Sequence, residues 1–399
     1  MRIIVGVSGG IAAYKAAIVV SSLVQRGHQV QILMTEGAEK FIQPLTFEAL
    51  SGRPVGVLVT DQPAGPISHV KLGKWAEILA IVPATVGIMS RLALGQPTDL
   101  LSLTCMSYRG PVVIAPAMEP KMWLHPRTQE HVAKLAADDT QIVGPVAGRV
   151  ASGDEGEGRL VDPEFLVRAI EHAPIPKALS GIQVLVTGGA TWEHFDPVRA
   201  ITNPATGRMG FEMAQEAAFL GARVIYVHGP RGADFGTLHP SVTSIPVVSA
   251  RDMRHVVWDV VGSVSIVVAT AAVSDFRPTA SAKQKLHKSD IPGYWEVTAN
   301  PDILADLGQE YGGKKFLVGF AAETDNVVAS AQGKLEAKNL NVIVANPVGA
   351  SLGFGNYEHH AQIIDKFGGN TAINEESKEI SAQKIWKRLV ELYGQEPYV

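Results

Sequence analysis

The chain has 399 residues, of which 46% are apolar and 19% charged, and its 35 basic and 39 acidic side chains leave a formal net charge of −4. This composition excludes a mainly disordered chain and provides no overall positive charge to hold nucleic acid or an anionic membrane surface. One cysteine, Cys105, excludes an intramolecular disulfide and a multi-cysteine metal site, and we expect it to pack inertly in the core. The longest apolar run, residues 260–273, is shorter than the about 20 residues that span a membrane, so it predicts a buried strand with its flanks. We therefore expect a cytoplasmic protein with two domains.

The first half of the chain predicts strands and helices that alternate around a parallel sheet. A strand, a glycine turn at residues 6–10, a helix and a second strand follow one another, which is the order typical of α/β proteins. The glycine-rich segment 148–159 predicts either a mobile flap over a site or a plain surface loop. The predicted strands are 2–7, 30–34, 78–82, 112–115 and 141–143, and the first helix is 11–26.

The same pattern begins again near residue 182. Between the two halves, residues 172–179 contain Pro174 and Pro176 and show no periodicity, which favours a domain boundary there. The predicted fold is α/β, with two tandem doubly wound, Rossmann-like domains over residues 1–175 and 180–399. The predicted elements of the second domain are strands 182–187, 223–227, 265–270, 316–320 and 342–345, helices 209–220 and 379–393, and a hairpin of strands 361–365 and 371–374.

Candidate site residues in the first half lie in loops that follow predicted strands. The glycine turn at residues 6–10 suits a phosphate at a helix N-terminus, although its spacing is not that of the dinucleotide fingerprint. His69, just before a predicted helix around Trp75, is either an acid–base group or a surface or capping histidine. The loop at residues 116–123 also follows a strand, where active-site loops of α/β proteins usually lie.

The second half contains a second set of candidate anion-binding groups. A glycine turn at residues 188–191 and a polar loop at 203–210, which ends at a helix N-terminus, both suit a phosphate. Asp275 ends a predicted buried strand, where ligands bind in open sheets. Lys334 and Lys338 are spaced to share one helix face, so their like charges favour an anion between them; the alternative is a solvated surface pair.

Several strings, in a constant order, carry a resemblance to a known family. Segments 9–15, 67–72, 83–85, 116–118 and 153–159 resemble those of flavin-dependent cysteine decarboxylases. Segments 196–199, 203–210, 271–275, 300–303, 319–324 and 338–340 resemble those of phosphopantothenate–cysteine ligases. The chain as a whole is therefore similar to the bifunctional proteins of coenzyme A biosynthesis, in which phosphopantothenoylcysteine decarboxylase is fused to the ligase.

For the first half, the resemblance implies a flavodoxin-like domain that binds FMN. The implied FMN contacts are Ser8, Gly9, Thr35 and Thr85, and His69 is the implied catalytic histidine. FMN is expected to oxidise the substrate thiol, so that carbon dioxide is lost, and reduced flavin and a proton donor then complete the product.

Two positions depart from the family pattern. Glu119 replaces an asparagine expected to hold the substrate carboxylate, and Ser152 replaces a cysteine expected to donate the proton. A serine hydroxyl is a weaker acid than a thiol, whose pKa is about 8.5, so a buried, protonated Glu119 is a candidate donor. The alternatives are an active ligase whose FMN domain does not complete decarboxylation, and a flavoprotein that regulates a partner by binding.

For the second half, the resemblance implies ligation of 4′-phosphopantothenate to L-cysteine through an acyl-cytidylate formed from CTP with Mg²⁺. Asn203 is the implied residue acting on the intermediate, and Arg208 and Asn341 are small departures from the usual pattern. The resemblance names no magnesium ligands, and it implies a homo-oligomer with trimeric flavin domains and dimeric ligase domains. The implied nucleotide contacts are Ala269, Thr270, Ala271, Asp275, Lys285, Pro301, Asp302, Ile303, Leu304, Phe320, Lys334 and Lys338.

Overall fold

The computed structural model describes residues 1–287, 293–348 and 358–395. The chain divides into two compact units, Met1–Ile175 and Pro176–Val399. In the described part of the chain, no helix is both long enough and apolar enough to cross a membrane. The predicted α/β fold is confirmed in both units, each of which is built around a largely parallel sheet.

The first unit contains a five-stranded parallel sheet with the strand order β2-β1-β3-β4-β5. Strand β3 is buried along its whole length, because helices cover both faces of a parallel sheet and its strands become continuous apolar runs. The strands of this sheet are β1 (Arg2–Val7), β2 (Gln29–Met34), β3 (Ile78–Ala84), β4 (Val112–Pro116) and β5 (Thr140–Ile142). The first unit also contains a separate pair of strands, β6 (Val146–Arg149) and β7 (Glu155–Arg159).

A local sequence signal marks the start of one helix of the first unit. Helix α6 begins at a capping box, in which the Asp99 carboxylate accepts from Ser102 N at 2.7 Å and Ser102 Oγ accepts from Asp99 N. The helices are α1 (Ala13–Gln25), α2 (Glu36–Glu39), α3 (Pro44–Ser51), α4 (Ser68–Trp75), α5 (Val86–Ala93), α6 (Leu100–Ser107), α7 (Pro120–Trp123), α8 (Pro126–Ala137) and α9 (Pro163–His172).

The second unit contains an eight-stranded sheet with the order β12-β11-β8-β13-β16-β17-β18-β19. The last two strands run antiparallel and form the predicted terminal hairpin. Two small ribbons, β9–β10 and β14–β15, lie outside this sheet and were not predicted. The strands are β8 (Gln183–Gly188), β9 (Trp192–His194), β10 (Ala200–Thr202), β11 (Arg223–His228), β12 (Val242–Pro246), β13 (Ile266–Ala269), β14 (Phe276–Pro278), β15 (Val297–Ala299), β16 (Phe316–Glu323), β17 (Val342–Pro347), β18 (Glu358–Asp365) and β19 (Asn370–Ser377).

Helices cover both faces of the second sheet. Side chains of α10 and α14 form one buried cluster, in which Trp386 Nε1 donates to Met213 O at 2.8 Å. Side chains of α11, α12 and α13 contribute to a second cluster. The apolar run 260–273 is divided, because α11 ends at Val261 before β13 begins. The helices are α10 (Arg208–Phe219), α11 (Ala250–Val261), α12 (Ile303–Tyr311), α13 (Val327–Ala337) and α14 (Lys378–Tyr393).

Candidate active sites

The four predicted FMN contacts lie at the carboxyl edge of the first sheet. Ser8, Thr35 and Thr85 directly follow β1, β2 and β3, which are neighbouring strands. Ser8 Oγ donates to Pro83 O at 2.8 Å and accepts from Thr85 N at 2.9 Å. In a sheet with this strand order, the flavin of flavodoxin-like proteins binds between β1 and β3. The residues present therefore fit a flavin at this edge.

Helix starts at the same edge leave backbone donors without a side-chain acceptor. Ala12, Thr35 and Thr85 are the N-cap residues of α1, α2 and α5, and none of the three makes a capping side-chain hydrogen bond. Free N–H groups at a helix start attract a phosphate, and the helix dipole adds to that attraction. This donor set suits the phosphate of a flavin mononucleotide.

Gly9 is required by a close approach of two loops. A Cβ atom on Gly9 would lie 2.5 Å from the carbonyl carbon of Gly37, so a side chain there would force backbone to move. Gly37 has more room, since its own Cβ would meet Gly9 Cα at 3.7 Å. The glycine turn therefore packs the β1 loop against α2, which carries Gly37.

His69 lies within α4, not before it as the sequence predicted. The residue is half-buried, and its backbone carbonyl accepts from Ser107 Oγ at 2.7 Å. Helix α4 begins after Ile67, which adopts the left-handed conformation with φ 59°. This turn sets the direction in which the helix, and with it His69, leaves the preceding loop.

Glu119 is the N-cap residue of α7. Its carboxylate accepts from Met122 N at 3.1 Å, and the residue is half-buried. The half-buried position does not match the buried, protonated Glu119 that was one candidate for the proton donor. An asparagine at this position could make the same capping bond through its side-chain oxygen.

Ser152 lies in the exposed turn between β6 and β7, where its Oγ donates to Asp154 Oδ2 at 3.0 Å. These strands form an antiparallel hairpin, so the glycine-rich segment is an ordered ribbon rather than an irregular loop. The hairpin contacts the loop that carries Glu119: Met118 N donates to Gly158 O at 2.9 Å. A Cβ on Gly158 would lie 2.2 Å from Met118 O, a close approach that sequence analysis missed.

Cys105 packs against the core of the first unit on α6. Burial raises the pKa of its thiol to about 12. The thiol therefore stays protonated at neutral pH, in agreement with an inert packing role.

In the second unit, one cavity of about 380 Å³ gathers most of the predicted nucleotide contacts. The cavity lies at the carboxyl ends of β13 and β16, between these strands and residues of α12 and α13. Thr270 lines a neighbouring cavity, and its Oγ1 donates to Thr187 O at 2.6 Å. The predicted residues that line the larger cavity are Asn203, Ala269, Ala271, Asp275, Pro301, Asp302, Ile303, Leu304, Phe320, Lys334 and Lys338.

The two cavity lysines are each paired with a carboxylate. Lys334 Nζ lies 2.6 Å from Glu323 Oε1, and Lys338 Nζ lies 2.7 Å from Asp302 Oδ2. Because each charge already has a partner, the like charges of the two lysines do not by themselves favour an anion between them. Burial works to raise the pKa of Glu323, but hydrogen bonds from Lys334 and Ser330 outweigh it and lower that pKa.

Asn203 is held across the mouth of the cavity by backbone contacts. Its Nδ2 donates to Ala272 O at 3.1 Å. Asp275 is exposed at the rim, where its backbone carbonyl accepts from Asn300 N at 2.8 Å. Lys285 is exposed and does not line the cavity, so the structure does not bring this predicted contact together with the others. Lys288, a further lysine that the sequence offers as a candidate near the later strands, lies outside the described residues.

A buried carboxylate organises the loop before Asn203. Asp196 is 1% exposed and accepts from the N–H groups of Val198 and Arg199, both at 2.8 Å, and of Leu286 at 3.2 Å. Burial works to raise the pKa of Asp196, but these bonds and then the Arg199 guanidinium lower it to about 2. The Asp196 carboxylate therefore holds residues 198–199 and Leu286, which are far apart in the chain, close together.

Comparison with known proteins identifies the family. The model "Flavoprotein" matches residues 1–173, and "DNA/pantothenate metabolism flavoprotein C-terminal domain" matches residues 179–393. The coenzyme A biosynthesis bifunctional protein CoaBC of Vibrio parahaemolyticus is 40% identical to this chain over 394 residues, which is 98% of each. The chain belongs to the family of coenzyme A biosynthesis bifunctional proteins. The family prediction is confirmed.

One further relative and one solved structure are also similar to this chain. CoaBC of Bacillus subtilis is 41% identical over 361 residues, 89% of this chain and 88% of its own length. The solved structure of the C-terminal domain of a CoaBC protein is 35% identical to this chain, with a TM-score of 0.47. It covers 55% of this chain and 100% of its own.

Among the described residues, no group of three or more histidine, cysteine, aspartate or glutamate side chains could hold a metal ion. Mg²⁺ commonly binds through substrate phosphates and one or two carboxylates rather than in an all-protein cage.

Proposed function

We propose that this chain carries out two consecutive steps of coenzyme A biosynthesis. The second unit ligates 4′-phosphopantothenate to L-cysteine, and the first unit decarboxylates the resulting phosphopantothenoylcysteine to 4′-phosphopantetheine. The observation that carries the proposal is the 380 Å³ cavity with Asn203, Lys334 and Lys338, in a chain that matches bifunctional relatives over almost its whole length. This full-length match does not favour the alternatives of a stalled flavin domain or a purely regulatory flavoprotein.

In the ligase step, the cavity holds CTP with Mg²⁺. The substrate carboxylate attacks the α-phosphorus, pyrophosphate leaves, and the cysteine amine then displaces CMP from the acyl-cytidylate. Lys334 and Lys338 neutralise charge that develops on the phosphates, and for this they must exchange part of their contact with Glu323 and Asp302. Asn203 Nδ2 is held by Ala272 O, so its remaining amide oxygen can accept from the attacking cysteine amine and orient it.

In the decarboxylase step, Ser8, Gly9, Thr35 and Thr85 hold FMN at the carboxyl edge of the first sheet. When bound, FMN supplies a two-electron acceptor for the substrate thiol. His69 is the acid–base group of this step. Glu119 remains a hydrogen-bond acceptor at its helix cap, and Ser152 and Asp154 supply the polar groups of the hairpin turn.

The test is a coupled assay on the flavin-loaded full chain, with 4′-phosphopantothenate, cysteine, CTP and Mg²⁺, and with mass detection of both products. Formation of 4′-phosphopantetheine supports both steps. Accumulation of phosphopantothenoylcysteine alone would contradict the decarboxylase half. Replacing CTP by ATP, or chelating Mg²⁺ with EDTA, tests the nucleotide and the metal separately.

The departures at residues 119 and 152 have their own test in the same assay. Ser152→Cys restores the stronger acid of the usual family pattern, so we expect it to raise the rate of carbon dioxide release. Glu119→Asn restores the usual family residue and keeps the helix cap, so a change in carbon dioxide release would reflect the substrate contact and not loss of the cap. The proposed homo-oligomer, with trimeric flavin units and dimeric ligase units, is checked by native mass spectrometry.

A further inference from the structure

A lysine that no predicted motif contains lines a second cavity of the ligase unit. This cavity has a volume of about 160 Å³ and shares Ala271, Ala272 and Phe320 with the larger cavity. Its wall also includes Gly207, the N-cap residue of α10, and Lys378, the first residue of α14. The two cavities are therefore continuous parts of one concave surface.

The charge of Lys378 has no partner in the part of the chain that the structure describes. Within the described residues, its Nζ makes no ion pair and no hydrogen bond, whereas Arg208 in the same cavity pairs with the buried Glu212 at 2.6 Å. Burial, and then the Arg208 guanidinium, lower the pKa of Lys378. This contrasts with Lys334 and Lys338, each of which lies against a carboxylate.

The backbone adds to the positive potential around Lys378. The residue occupies the first position of α14, where the helix dipole disfavours a cation. Helix α10 also begins at this cavity, and its N-cap residue, Gly207 with φ 89°, has no side chain; Thr206 Oγ1 accepts from Arg208 N at 3.3 Å, which leaves the later N–H groups of the first turn without a side-chain acceptor among the described residues. An anion between the two helix starts would therefore stabilise the charge of Lys378.

A further polar group in this cavity independently points to a ligand. Asn346 Oδ1 is buried and has no hydrogen-bond partner in the part of the chain that the structure describes. Buried polar atoms of folded proteins are nearly always satisfied by protein, water or ligand. Lys378 can donate to a phosphate oxygen, whereas Asn346 Oδ1 is an acceptor and needs a donor or the cation that accompanies the phosphates.

We propose that Lys378, with the N-terminus of α10, binds the terminal phosphates of the nucleotide, which leave as pyrophosphate. The inference rests on the proposed ligase function. When a carboxylate oxygen of the substrate bonds to the α-phosphorus, the bond from that phosphorus to the bridging oxygen breaks, and the electron pair leaves with pyrophosphate. Lys378 keeps its proton and neutralises the charge that accumulates on this leaving group.

The test compares binding of CTP and CMP to the full chain by isothermal titration calorimetry with Mg²⁺. Lys378→Ala should raise the Kd for CTP about tenfold or more, because a charge-assisted contact to phosphate is lost, and should leave the Kd for CMP unchanged. Lys378→Arg should restore most of the CTP affinity, which a purely structural role of the side chain would not predict. Lys387→Ala, on an exposed position of the same helix, is the matched control and should bind both nucleotides as the wild type does.

Three outcomes would overturn the inference. Equal weakening of CTP and CMP would indicate general damage to the cavity, and unchanged CTP binding would show that Lys378 carries no phosphate. Weakened binding of 4′-phosphopantothenate relative to pantothenate, with CTP unaffected, would assign the cavity to the substrate phosphate instead. Failure of the proposed ligase function is distinguishable, because the wild-type chain itself would then neither bind CTP nor release pyrophosphate.

Discussion

The two units hold their candidate residues in different ways. In the ligase unit, Asn203, Lys334 and Lys338 line one cavity at the carboxyl ends of neighbouring strands. In the flavin unit, the cofactor residues meet at such an edge, but His69 lies on α4 and Ser152 in an exposed hairpin turn. Loops that directly follow parallel strands converge at one edge of the sheet. Side chains on helices or hairpins, such as His69 and Ser152, reach that edge only if these elements pack against it.

The largest expected effect is the loss of one reaction while the other keeps its rate. His69→Asn should reduce carbon dioxide release by about 10²- to 10⁴-fold, the usual range for loss of an acid–base group, and should leave pyrophosphate release unchanged. Both products are measured on the same flavin-loaded preparation. A parallel loss of ligase activity would show that the two sites do not work independently.

A smaller loss is expected from the ligase cavity. Lys338→Met should lower kcat/KM for CTP about 100-fold, because a cation opposite the phosphates is removed while the bulk of the side chain remains. The measurement is pyrophosphate release at subsaturating CTP. Lys314→Ala is the control, since Lys314 is exposed and contacts only Glu310 O among the described residues. Normal kcat/KM in the Lys338→Met variant would show that this lysine does not act on the nucleotide phosphates.

The close approach of two loops in the flavin unit gives the third prediction. Gly9→Ala places a Cβ 2.5 Å from the Gly37 carbonyl carbon, so the loop must shift, and flavin occupancy after purification should fall about tenfold. Gly37→Ala is the matched control from the opposite side of the same contact, where a Cβ has 3.7 Å of room. The ratio of absorbance at 450 to 280 nm measures occupancy. Equal flavin content in the two variants would contradict the steric argument.

The smallest effect concerns acid stability of the ligase unit. Because the folded pKa of Asp196 is lowered to about 2, its carboxylate contributes stability that is fully present above the unfolded pKa of about 3.9. That contribution is lost as pH falls toward 2. Asp196→Asn should therefore flatten the dependence of Tm on pH between about 4 and 2.5. An unchanged slope, measured by calorimetry, would mean that other carboxylates dominate acid unfolding.

Much of the fold was predictable because buried strands leave a strong pattern. The core strands of both sheets, such as β3 and β13, are apolar on both faces, and their predicted positions agree with the structure to within a few residues. The ribbons β9–β10 and β14–β15 were not predictable, because three-residue strands carry too short a pattern.

The sequence identified the candidate site residues better than it predicted their positions in the fold. Ser8, Thr85 and Asn203 were identified from motifs, but Lys285 lies away from the cavity that motif matching assigned to it. Glu119 was one candidate for a buried proton donor, whereas in the structure it is half-buried and caps a helix. A motif records which residue types occur together, and it does not record which side of a loop each side chain takes.

The sequence by itself determined the family, the α/β class and the order of strands and helices, because these depend on local periodicity and on strings of neighbouring residues. Only the tertiary structure decided which charges are balanced. Glu323 and Asp302 meet Lys334 and Lys338 across 11 and 36 residues of chain, whereas Lys378 meets no carboxylate in the described chain. Charge balance depends on contacts between distant segments, and no local pattern contains that information.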